Sequence, residues 1–133
     1  MTRDDYYNWM DSFRDRMHGD IQHRVIPSYE NMSMKWRVDN LVWVSYDEHW
    51  EIHKVIYKME RDFRSCCAWF GCWAYFENFD PPQDELNYML SEFRRLHKEY
   101  MATFPQEWWD EQAAIRSEAL NKFYSEGLSL IHI

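Results

Sequence analysis

Met32, Met34, Trp36 and Val38 are apolar, and the residues between them, Ser33, Lys35 and Arg37, are polar. This strict period of two predicts a strand. Asp39-Asn40 then supply two residues tolerant of positive φ, and Leu41 to Val44 is a β-branched and aromatic run. A β-hairpin over about residues 32–44 is the natural expectation. A lone hairpin is marginal in water, so it must pack on helices.

The rest of the pattern is helical. Tyr6, Trp9, Met10, Phe13 and Met17 recur at helix spacing behind a Thr2 cap with Asp5 three residues on, and Gly19 stands where a helix would stop. Asp20 to Asn31, with Pro27 and no clear period, reads as a loop. Ser45-Tyr46-Asp47-Glu48 is a capping-box pattern, after which Ile52, Ile56, Met59, Phe63, Cys66, Phe70 and Trp73 step by four and three. That stripe predicts a long central helix over about residues 46–79, ended by Pro81-Pro82, with Gly71 as its expected break. A third helix follows from Gln83, carrying Leu86, Leu90, Phe93, His97, Tyr100 and Phe104 on one face. Pro105 opens a fourth, with Trp108, Ile115, Ala119 and Phe123 expected inward until Gly127.

The expected class is therefore mainly α with a minor β element: a four-helix, bundle-like single domain over residues 1–127. Its core should include Trp9, Phe13, Trp36, Ile56, Phe63, Phe70, Trp73, Leu90, Phe93 and Phe123. Residues 128–133, Leu-Ser-Leu-Ile-His-Ile, break the preceding pattern and resemble translated sequencing-adapter read-through. They are set aside as a non-native tail, which would make the source an uncultured organism or a virus.

Composition narrows the class. Aromatic residues make up 19% of the 133 positions, and each ring removes roughly 150–250 Å² from water on burial, which argues against disorder. Three Gly and four Pro are too few for the turns of a sandwich or barrel. The net charge of −8 repels nucleic acid and anionic membrane and suits a basic protein partner. Cys66, Cys67 and Cys72 crowd into seven residues without Cys-x-x-Cys spacing, so they read as reduced packing thiols. With no hydrophobic signal segment after Met1-Thr2-Arg3-Asp4-Asp5, a reducing cytoplasm is the expected compartment.

Several constellations could carry chemistry. His49 and His53 lie four apart on one helix face, a spacing that chelates Zn²⁺ or iron through two imidazoles, with His97, His18 or His23 as sources of a third. The order His-x-Glu-x-His differs from the zinc-protease order and puts Glu51 on another face. Segment 66–79 carries more apolar surface than one helix face needs, which predicts a homodimer or protein interface anchored by Trp69, Trp73 and Tyr75. The Trp residues could also stack a base, with Lys35 and Arg37 flanking Trp36.

Glu48-x-x-Glu51 and Glu77-x-x-Asp80 together resemble the four-carboxylate motif of the all-α NTP pyrophosphatases, the MazG-like and dimeric dUTPase group. The resemblance covers these four positions and implies a Mg²⁺-dependent enzyme with Glu48, Glu51, Glu77 and Asp80 as metal ligands. On one straight helix the pairs would stand roughly 40 Å apart, so a shared ion needs a sharp turn between them. No phosphate-cradling Gly loop, nucleophile motif or dinucleotide fingerprint appears. The favoured expectation is a small acidic, non-catalytic interaction or regulatory protein, needing no cofactor and meeting its partner through aromatic and acidic surfaces. The Mg²⁺ pyrophosphatase is the alternative.

Overall fold

The computed structural model describes residues 1–76 and 79–131, with side chains described up to residue 127. It is 67% helical, a mainly α fold with one small antiparallel sheet. The elements run α1 (Arg3–Asp11), β1 (Ile21–Arg24), β2 (Leu41–Val44), α2 (Tyr46–Glu60), α3 (Phe63–Ala74), α4 (Gln83–Ala102) and α5 (Gln106–Ile131). Two compact units result, Met1–His97 and Lys98–Ile133.

The N-terminal signals hold. Thr2 caps α1 with a full capping box to Asp5, and Ser45 caps α2 in the same way with Glu48. Two other expectations are corrected. The alternating stretch from Met32 to Val38 is no strand: it forms two single 3₁₀ turns, and Met32, Trp36 and Val38 are exposed. The partner of β2 is instead β1, taken from the segment that read as a loop, with Ile21 opposite Val44 and His23 opposite Val42. The expected helix over 46–79 breaks at Arg61-Asp62, not at Gly71. Arg61 adopts the left-handed conformation at φ 54°, and Asp62 caps α3 through the Ser65 amide.

Two contacts hold the sheet in place. A Cβ on Gly19 would stand 2.9 Å from the Val44 carbonyl oxygen, so only glycine allows the chain to pass there, and Asp20 N–H then donates to that same oxygen. Asn40, 2% exposed, closes the long β1–β2 connection. Its Oδ1 accepts from Ile26 N–H, and its amide donates to the carbonyls of Ile26 and Met34. Three bonds from one buried side chain fix the path of residues 25–40.

In the first unit the apolar residues form two clusters. Tyr6, Met10, Phe13, Val25, Val42, Val44, Ile52 and Ile56 make one. Trp50, Tyr57, Cys66, Trp69, Cys72, Phe79, Met89 and Leu96 make the other. Trp9 packs against the first and Phe63, Phe70, Trp73, Leu90 and Phe93 against the second. Trp36, expected inside, stands outside at 77% exposure, with the Arg24 guanidinium and the Lys35 ammonium over its ring.

The second unit comprises the end of α4 and α5. Phe104 stacks on Trp108 at a centroid separation of 4.4 Å. Ile115, Ala119 and Phe123, expected to face inward, are exposed, and α5 continues through Gly127 where a stop was expected. No described helix is long and apolar enough to cross a membrane.

Candidate metal centre

Helix α2 contributes to both clusters of the first unit. At about 100° per residue, Ile52 and Ile56 point to one side and Trp50 and Tyr57 to the other. His49 and His53 occupy the arc between, so their burial follows from the width of the apolar stripe. His53 is 9% exposed, and His49 is half-buried. On the sheet, alternation turns Val42 and Val44 inward, and His23, facing Val42 across the ladder, shares that inner face and is 1% exposed.

Strand and helix thus bring three imidazoles together. One nitrogen from each of His23, His49 and His53 lies within 4.8 Å of the other two, and among the described residues this is the only set of three or more His, Cys, Asp or Glu side chains so gathered. The ring centroids stand 4.6 Å apart for His49 and His53, 5.0 Å for His23 and His53, and 5.5 Å for His23 and His49. The packing is edge-on, which aims ring nitrogens at neighbouring rings.

Hydrogen bonds constrain the tautomers. The Tyr6 hydroxyl donates to the Val25 carbonyl at 2.7 Å and lies 3.0 Å from His23 Nε2. Its single proton being committed, the hydroxyl accepts from His23, so Nε2 carries the proton and Nδ1 holds the lone pair. His49 Nε2 and His53 Nε2 are 3.0 Å apart, and one must donate to the other. His49 Nδ1 meets the Cys72 thiol at 3.5 Å. His53 Nδ1 is buried without a hydrogen-bond partner, an orphan of the kind that costs stability where nothing satisfies it.

All three rings are held neutral. Burial pushes the His49 pKa down to about 4, and burial with His49 beside it pushes His53 down to about 3. Burial, the other two imidazoles and the Arg24 charge hold His23 well below its ordinary value. Neutral imidazole is the form that ligates metal. Zn–N bonds near 2.0–2.1 Å place any two nitrogens of a tetrahedral site roughly 3.3 Å apart, close to the 3.0 Å between His49 and His53 Nε2. The bond from His23 Nε2–H to Tyr6 is of the kind that would orient a ligating histidine.

Of the third-ligand candidates, His18 and His97 are both exposed, and the His97 ring stacks on Phe93. Only His23 joins the pair. It was hard to rank by pattern because a four-residue strand whose inward residue is histidine shows no apolar alternation.

Two of the four acidic candidates, Glu48 and Glu51, are engaged elsewhere. Glu48 accepts from both terminal guanidinium nitrogens of Arg16 and from the Ser45 amide, with Arg16 the main cause of a pKa lowered to about 2. Glu51 pairs with Lys54, which also binds Glu85. Asp80 is exposed, and Glu77 lies outside the described residues. Of the interface candidates, Trp69 is enclosed between Trp50 and Tyr57 at 0% exposure, which accounts for its surface within the chain; Trp73 is half-buried and Tyr75 is 81% exposed. Cys66 and Cys72 are buried and Cys67 half-buried, all three unpaired, with their thiol pKa values raised by burial.

Comparison of the chain with protein-family models, with curated proteins and with solved structures finds no match.

Proposed function

We propose that this chain is a small metal-binding protein that holds one divalent transition-metal ion, of the Zn²⁺ class, on His23, His49 and His53. The observation that carries the reading is the convergence of three neutral imidazoles, one from β1 and two from α2, with their ligand atoms within 4.8 Å. An all-nitrogen donor set suits Zn²⁺, Co²⁺, Ni²⁺ or Cu²⁺ and disfavours Mg²⁺ or Ca²⁺, which take oxygen. Metal titration by calorimetry tests it: one equivalent is expected for the wild-type chain, with that binding lost in His49→Ala and His53→Ala and kept in His97→Ala. At a free-metal concentration of 100 Kd the fold should gain about 2.7 kcal/mol. A wild-type chain that takes up no Zn²⁺ or Co²⁺ ends the reading.

A second reading, compatible with the first, is a regulatory role through contact with a protein partner or a second copy. Exposed Trp36 and Tyr75 in the first unit and exposed Ile115, Leu120, Phe123 and Tyr124 in the second support it. Its setting would be the cytoplasm, which the three unpaired thiols favour. Sedimentation of the wild type against Phe123→Glu tests self-association. A monomer at high concentration, with nothing retained in a pull-down from the native host, would remove this second reading.

A further inference from the structure

We infer that a metal held by His23, His49 and His53 keeps one coordination position open to a cleft between the sheet and α3, and takes a small anion there. This anion site presupposes the metal reading above.

Three protein ligands leave a tetrahedral ion one short, the pattern of sites that exchange water or substrate, in contrast to closed structural sites. Among the described residues no Cys, Asp or Glu joins the trio, and Cys72 meets His49 at Nδ1. The trio is not sealed either. His23, His49 and His53 line a cleft of about 240 Å³ whose other walls include Ser28 from the β1–β2 connection and Ala68 from α3. That volume is several times the roughly 30 Å³ share of one water molecule, so a ligand larger than hydroxide fits.

The charge of the cleft selects the sign of that ligand. In a chain of net charge −8, the described residues that line the cleft include no carboxylate and one cation, Arg24. The Arg24 side chain is held by a bond from Nε to the Lys35 carbonyl, with its guanidinium over the Trp36 ring. A divalent ion on three neutral ligands keeps its full +2 charge, and with no carboxylate among the described lining residues the cleft is locally cationic within an acidic protein. An anion is the complement.

Co²⁺ reports its coordination in the visible spectrum, so the Co²⁺-loaded full chain is the probe, titrated with acetate and with azide. A saturable spectral change with each anion is expected. Ala68→Leu, which narrows the cleft from the α3 side, should abolish the change while Co²⁺ affinity stays the same. Arg24→Gln should weaken anion affinity about threefold or more by removing the one nearby cation, again with Co²⁺ retained. A Co²⁺ spectrum that ignores both anions overturns the open position. Unchanged anion affinity in Arg24→Gln overturns the charge selection. Failure of the wild-type chain to bind Co²⁺ overturns the metal reading itself, an outcome distinct from the other two.

Discussion

The Tyr6 hydroxyl bridges His23 Nε2 and the Val25 carbonyl, at 3.0 and 2.7 Å, and so ties helix α1 to the strand that carries the candidate ligand. The bridge fixes the His23 tautomer and holds its ring against α2. Tyr6→Phe removes one hydroxyl and leaves two buried groups, an imidazole N–H and a carbonyl, without partners. Denaturant unfolding should show a loss of about 1–3 kcal/mol. If His23 ligates metal as proposed, Co²⁺ affinity should fall about 10- to 100-fold as well. A loss of stability at unchanged metal affinity would make the hydroxyl a structural bond alone.

The metal-free protein should be acid-sensitive well above the carboxylate range. In the unfolded chain each histidine binds a proton near pH 6.5. In the fold His49 and His53 resist protonation to about pH 4 and 3, and His23 is lowered too. The unfolded state therefore binds more protons, so the contribution is complete above pH 6.5 and shrinks as pH falls toward the folded values. Below 6.5 each ring costs about 1.4 kcal/mol per pH unit. The groups facing the trio, Tyr6, Arg24 and Cys72, supply no carboxylate to offset the incoming charge. Stability curves at pH 7 and pH 5 measure this, and equal midpoints at both would contradict it.

Much of the helical scaffold is legible in the sequence because its signals are local. The Thr2 and Ser45 caps and the i, i+4 stripe of α2 each act within a turn or two, whereas α3 ends at Ala74, ahead of the expected stop at Pro81-Pro82. What the pattern misplaces depends on partners distant in sequence. Met32 to Val38 alternates like a strand, yet β2 takes β1 as its partner, and Asn40 and Asn31 bind the intervening chain into turns. The break at Arg61-Asp62 hides because Met59, Phe63 and Cys66 keep helical steps across it. The candidate site was half legible. His49 and His53 share a helix and declare themselves by spacing, whereas His23 comes from another element, and only the sheet register turns it toward them.

Gly19→Ala should destabilise through crowding, since its new methyl would meet the Val44 carbonyl oxygen at 2.9 Å and the Val44 nitrogen at 3.1 Å. These are backbone atoms of a fully buried residue and cannot swing away. A loss of about 1–3 kcal/mol is expected, read from a shifted denaturant midpoint. A neutral result would mean that the 18–20 segment can move off β2 freely.

Arg61→Gly should do the reverse. Arg61 is exposed and holds the left-handed conformation at φ 54°, which costs a side-chain-bearing residue about 1–2 kcal/mol. Glycine relieves that cost but adds freedom to the unfolded chain, so the net gain should be up to about 1 kcal/mol. Thermal unfolding that shows a loss would mean the Arg61 side chain makes contacts worth more than the strain.

Helix α2 supplies Ile52 and Ile56 to one apolar cluster and Trp50 and Tyr57 to the other, while the two clusters share no buried side chain. A single rod common to both sides couples them mechanically: a cavity cut beside Met10 and one cut beside Met89 both loosen the same fifteen-residue helix. The first unit should thus melt in one step, and destabilisation on either flank should be felt on the other, with the histidine ridge of α2 lying on the line of transmission between them.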